Sequence, residues 1–178
     1  MSALEFIKRE KITVVGGLLF FAGKSYKCAI GKNGFSAEKK EGDGCSPLGI
    51  FALRECWYRA DKMPPPKTKL PLKIINENDG WCDDASSPDY NKYVQLPYAF
   101  SHEKLWRDDG VYDLIIPIGY NDAPIVSGIV SGAGSAIFLH IAKPDYSGTE
   151  GCIALSKTDL LEILPLLSPE TMIEISGR

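Results

Sequence analysis

Histidine is scarce in this sequence: only His102 and His140 occur among 178 residues, so imidazole chemistry has just two sources. Cysteine is present without the pattern of a framework. Cys28, Cys45, Cys56, Cys82 and Cys152 are odd in number and none is spaced as CxxC, so neither a fully paired disulfide set nor a zinc knuckle is suggested. At least one thiol is expected to be free, and no metal and no cofactor are expected. No apolar run approaches membrane-spanning length. The opening MSALEFIKREKIT has neither the apolar stretch nor the small-residue cleavage site of a secretory signal, so nothing in it predicts export or anchoring. A basic stripe is also lacking: 20 Lys and Arg lie scattered among 23 Asp and Glu, for a net charge of -3, which argues against a nucleic-acid partner. Repeats, low-complexity tracts and breaks in composition are absent too. With 44% apolar residues, one domain over residues 1–178 with a substantial core is the expectation.

What is present reads as mainly β. Residues 12–30 form two apolar, β-rich stretches broken at Gly16-Gly17, a pair suited to a tight hairpin turn. Further strand-like runs cover 50–56, 72–75, 112–118, 125–130, 136–142 and 172–175, mostly separated by Gly, Pro, Asn or Asp. Short strands at this spacing predict a barrel or sandwich. Residues 60–97 are proline-rich and irregular yet carry Trp, Tyr and Asp, and they predict a long insertion beside a site. One short C-terminal helix is predicted over 157–167, capped by Ser156 with Asp159 three residues on. Its apolar face is Leu160, Leu161, Ile163, Leu164 and Leu167, and Pro165 should end it early.

The sharpest chemistry lies in FLHIAKPDYSGTEGCIALS, residues 138–156. An apolar strand delivers His140, a polar loop follows, and Gly151-Cys152 enters a second apolar run. An imidazole that takes the thiol proton would form an ion pair and pull the cysteine down from its free value of about 8.5, giving a thiolate nucleophile. Gly151 would leave room for a substrate carbonyl and let backbone N–H groups face an oxyanion. By spacing alone the commoner reading is the other one, with Cys152 a small buried hydrophobe and His140 structural.

The same segment resembles the signature of the YkuD-like L,D-transpeptidases: a strand-borne His, a variable loop, then Ser, His or Arg, Gly, Cys, Ile or Val, and Arg. His140, Thr149, Gly151, Cys152 and Ile153 fall on matching positions. Upstream, EGDGCSPLGIF (residues 41–51) resembles the family's Thr-Pro-x-Gly-x-Phe element through Ser46, Pro47, Gly49 and Phe51. SHEKLWRDDGVYD (101–113) and DGWCDD (79–84) are similar to a compact, stand-alone bacterial branch.

The resemblance implies a YkuD-like β-barrel or sandwich, with Cys152 as nucleophile and His140 as base. The reaction it implies is acyl transfer from peptidoglycan stem peptides through a thioester, with loss of D-Ala. It also implies acylation of Cys152 by carbapenems and a place in the periplasm or cell envelope. A 3-3 cross-link, a 1-3 cross-link and hydrolysis by water all remain open. Two positions depart from the pattern: Glu150 stands where the family has His or Arg, and Ala154 where it has the Arg after the nucleophile. Glu150 would raise the thiol's pKa or face the ammonium of a diaminopimelate side chain. His102 and Arg107 are expected to supply the missing polar groups, and Trp81 and Trp106 to line the substrate groove. With Ile141 following His140, a backbone carbonyl is expected to hold the ring. Two other readings remain: a peptidoglycan-binding domain without activity, and a metal site of His102, His140, Cys82 and Cys152, whose spacing gives it little support.

Overall fold

A computed structural model describes residues 11–123 and 128–177. The first strands, β1 (Lys11–Val15), β2 (Leu18–Phe21) and β3 (Lys24–Ala29), form a meander with two-residue turns. Gly16 takes the positive φ of the first turn at 56°, as its position predicts. The second turn, Ala22-Gly23, has φ of 49° and 77° and divides what the sequence presented as one run. A loop containing β4 (Phe35–Ser36) and β5 (Ser46–Pro47) leads to β6 (Gly49–Ala52), β7 (Cys56–Tyr58) and β8 (Leu72–Ile74). The stretch read as irregular carries a small sheet: β9 (Asp79–Cys82) pairs with β10 (Tyr93–Gln95) and β11 (His102–Lys104) on either side.

Three buried strands follow, β12 (Leu114–Pro117), β13 (Phe138–Ile141) and β14 (Ile153–Leu155), and then α1 (Lys157–Ile163) and β15 (Met172–Ser176). Ser156 Oγ accepts from the Asp159 N–H at 3.1 Å, the expected N-cap. Pro165 cannot donate a main-chain hydrogen bond, and the helix tightens into a 3-10 turn over Leu164–Leu166. Leu161, read as part of the apolar face, is exposed; Leu160, Ile163, Leu164 and Leu167 are fully buried. Of the strand expected at 125–130, residues 125–127 lie outside the described residues, and Gly128, Ile129 and Val130 are not strand.

The large sheet runs β6-β15-β1-β2-β3-β14-β13-β12-β7-β8. It curls on itself: Leu53, just past β6, bridges to Ile118, just past β12, and the Gly119 N–H donates to the Ala52 carbonyl at 2.8 Å. The fold is mainly β with one short helix, as the sequence predicted. Among the described residues no helix is long and apolar enough to cross a membrane.

Two cores result. Leu114, Ile116, Leu139 and Ile141 face the first, inside the curl, with Ile12, Val14, Ile153 and the leucines of the helix. Ile115 and Phe138 face the second, outside it, where Trp57, Leu105, Tyr112 and Cys152 pack with Trp81 and Trp106 beneath the small sheet. β12, and β13 apart from His140, are thus apolar on both faces, which is why they read as hydrophobic runs. The second core places a thiol between two sheets.

Candidate active site

Alternation along β13 sends Phe138 and His140 outward, away from the first core. β14 lies parallel to it with Leu139 opposite Ile153, so Cys152 comes alongside Phe138. The Phe138 N–H donates to Cys152 Sγ at 3.3 Å, and the thiol donates to the Ala136 carbonyl at 3.2 Å. Cys152 and His140 line one cleft of about 330 Å³.

The His140 Nδ1 lies 2.9 Å from the Ile141 carbonyl, the backbone partner expected for the ring. A carbonyl only accepts, so Nδ1 carries the proton and Nε2 holds a lone pair. Burial depresses His140 to about 4, against the pull of the Ile141 hydrogen bond, and the positive charges of Arg107 and Lys143 add to the depression. Burial pushes the Cys152 thiol up to about 12, and the Glu103 carboxylate adds to it, against the Phe138 N–H and Lys39. Both directions favour a neutral thiol beside a neutral imidazole. Both run against the ion pair expected from the sequence, because the thiol is enclosed and a carboxylate from a remote strand stands near it.

Gly151 has φ of 140°, and a Cβ there would sit 2.7 Å from the Cys45 carbonyl oxygen. The missing side chain admits the segment before β5, a close approach of protein where room for a substrate carbonyl was expected. The Gly151 N–H donates to Thr149 Oγ1 at 3.1 Å, and so serves the loop rather than an oxyanion. The Thr149 hydroxyl donates onward to the Cys152 carbonyl at 2.7 Å. Ser46, from the second motif, ties the two segments together. Its hydroxyl donates to the Gly151 carbonyl at 2.8 Å and accepts from the Gly31 N–H at 2.9 Å.

A histidine and a thiol on neighbouring strands of a curled β-sheet, braced by a Ser-Pro-x-Gly loop, are joined by a finding from comparison: residues 9–175 match the family model of the YkuD L,D-transpeptidase catalytic domain. The chain belongs to this family. No curated protein and no solved structure matches it. The YkuD family is a cysteine-dependent L,D-transpeptidase family that acts on peptidoglycan stem peptides.

Around this YkuD cleft, the other expected residues divide. Arg107 and Glu150 line it. Arg107 is committed to Asp109, and its guanidinium lies over the Tyr112 ring, 4.9 Å from the centroid. Glu150 is drawn outward by Lys32 at 2.6 Å and is largely exposed. His102 does not reach the cleft. Alternation along β11 gives the inward place to Glu103, and His102 sits edge-on to Tyr98 with Nδ1 2.8 Å from the Phe100 carbonyl. Trp106 stacks with Arg59, whose guanidinium carbon lies 3.4 Å from the ring centroid. Trp81 packs edge-on against Phe138, its N–H donating to Asn91, and lines a separate cavity of about 370 Å³ behind β13. Neither tryptophan lines the cleft. Cys82 does not line it either, although its neighbour Asp83 does, and among the described residues no group of three His, Cys, Asp or Glu could hold a metal.

Several cleft residues escaped the sequence reading, among them Glu103, Tyr112, Lys39 and Glu41. Tyr112 donates to Glu103 at 2.9 Å, and its ring stands edge-on to His140 with centroids 5.3 Å apart. Burial raises the Glu103 carboxyl, with the Tyr112 hydrogen bond and Arg107 acting the other way. Ser135 donates to Glu41 at 2.7 Å, and Tyr90 donates to the same carboxylate. Lys39 reaches the cleft almost wholly buried. It lies two residues before the motif EGDGCSPLGIF, and that nearness was the one available signal.

Proposed function

We propose that this chain is a peptidoglycan L,D-transpeptidase in which Cys152 forms the acyl-enzyme and His140 moves the proton. The observation that carries the reading is the shared cleft of Cys152 and His140, with the imidazole fixed through Nδ1 so that Nε2 is its free base. Because thiol and imidazole both favour their neutral forms, proton transfer accompanies attack rather than preceding it. The sulfur attacks the carbonyl carbon at the L-centre of a stem peptide as its proton passes to Nε2. The carbonyl electron pair moves to oxygen, and the tetrahedral intermediate collapses with expulsion of D-Ala, whose amine takes the proton back. An amine of a second stem peptide then opens the thioester, giving its proton to His140 and restoring the thiol.

Incubating wild-type protein and Cys152→Ala with disaccharide-tetrapeptide, and following products by mass spectrometry, tests this. Dimers formed with loss of D-Ala in the wild type alone are the expected result, and fragmentation identifies the carbonyl used. Tripeptide without dimers would convert the reading to L,D-carboxypeptidase. Unchanged substrate in both samples would overturn this reading in favour of a peptidoglycan-binding domain or a different substrate. A carbapenem should add its mass to the wild type and leave Cys152→Ala unmodified.

A further inference from the structure

The family's signature places a cationic or polar residue before the nucleophile's glycine and an arginine two positions beyond the nucleophile; this chain has Glu150 and Ala154 there. Acyl transfer to a buried sulfur nevertheless develops negative charge, first on sulfur and then on the carbonyl oxygen. In a site shielded from water that charge needs a fixed partner. The loop before β5 brings one. The Lys39 side chain is 3% exposed. Its stem crosses Gly134, where a Cβ would stand 2.9 Å from Lys39 Cε, and its ammonium ends at Gly151, 3.3 Å from where a Cβ would be. Both glycines have positive φ, 110° and 140°; at Gly134 the missing side chain makes room for the Lys39 stem, and at Gly151 the ammonium shares the space with the Cys45 carbonyl.

Asp43 fixes the ammonium at 2.6 Å, and the carboxylate is itself held by the Lys40 and Cys45 N–H groups at 2.8 and 2.9 Å. The other cations of the cleft are more exposed: the Arg107 side chain, paired with Asp109, is 35% exposed, and Lys143 is exposed.

We propose that the Lys39 ammonium stabilises the negative charge that develops at Cys152 and on the substrate carbonyl oxygen during acyl transfer. It stays protonated throughout, and the moving proton remains that of the thiol and His140. Lys39 acts to lower the Cys152 thiol, in opposition to burial, Glu103 and Glu150. The inference rests on Cys152 being the nucleophile, but not on what the natural substrate is.

The test compares wild type, Lys39→Arg, Lys39→Met and the double variant Lys39→Met/Asp43→Asn, which leaves no unpaired carboxylate and so guards against misfolding. Alkylation of Cys152 by iodoacetamide, a neutral probe, is followed by peptide mapping across the pH range and referred to each variant's thermal melt. In the two methionine variants alkylation at fixed pH should fall by about tenfold, one pKa unit. On muropeptide, kcat should fall about a hundredfold with KM little changed, a size typical of losing one charge-stabilising donor. Lys39→Arg should recover part of both. Folded methionine variants alkylated at the wild-type rate, or a loss confined to KM, would overturn the proposal, the latter making Lys39 a binder of a substrate carboxylate. Wild type that ignores muropeptide but shows Lys39-dependent alkylation would remove the proposed function and leave this inference standing. Turnover indifferent to Lys39 would do the reverse.

Discussion

Two ionisable side chains, each pushed toward its neutral form, govern how this site responds to pH. Around Cys152 stand Glu103, Glu150, Tyr112, Lys39 and His140, with Arg107 and Lys143 on the cleft wall. With the thiol up at about 12, its thiolate fraction rises about tenfold per pH unit through the neutral and mildly alkaline range. Iodoacetamide alkylation of Cys152 should therefore climb with a slope near one and no plateau. A plateau beginning in mild acid would mean a preformed ion pair. His140 also links pH to stability. Its folded value, about 4, lies below the ordinary 6.5, so the unfolded chain binds the proton more readily in that window. Stability from this group is complete above 6.5 and declines as pH falls toward 4, by about 3 kcal/mol at most. Denaturant titrations in mild acid should show that decline in wild type and a flatter profile in His140→Gln. Cys152 and His140 were legible because they stand in one contiguous motif. Glu103 and Lys39 were not, because each arrives from a segment that only the fold brings near. His102 misled the reading because two-residue alternation along a three-residue strand decides which neighbour faces the cleft, and the sequence does not fix that phase.

Ser46 shows what the upstream motif does between elements. Resemblance marked it as part of a family pattern; its hydroxyl accepts from the Gly31 N–H at 2.9 Å and donates at 2.8 Å to the Gly151 carbonyl, 105 residues further along the sequence. Ser46 itself is fully buried. Ser46→Ala should leave a donor and an acceptor without partners and cost about 2 to 4 kcal/mol, visible in urea unfolding. Because the acceptor is the residue before Cys152, alkylation of that thiol should change as well. A variant with wild-type stability and unchanged thiol reactivity would show that water replaces the hydroxyl. The helix was readable down to its cap and its early end, since Ser156 and Pro165 act locally. The small sheet of β9 to β11 was not. Strands of three or four residues carry too few alternations to register as a period, and their Asp, Gly and Pro neighbours read as loop.

At the scale of the molecule, the order of strands explains why a site near residue 152 depends on both ends of the described chain. β15 lies between β1 and β6, parallel to the first over five residue pairs and antiparallel to the second over four. Ile173 and Ile175 enter the first core at 0% and 2% exposure. No local pattern in 172–176 reveals a partner some 160 residues away, so the sequence shows a strand and conceals its place. Removing residues 172–178 would free one edge each of β1 and β6 and open the curl that Leu53 and Ile118 close. Burying two isoleucines is worth about 3 to 6 kcal/mol, and nine strand pairings are lost with them; a domain stable by about 5 to 15 kcal/mol does not withstand both. The truncated protein should lack a cooperative thermal transition, and its five cysteines should be alkylated together by iodoacetamide. If it instead melts cooperatively with Cys28, Cys56 and Cys82 still protected, the sheet closes without β15, and the dependence of the cleft on that strand is wrong.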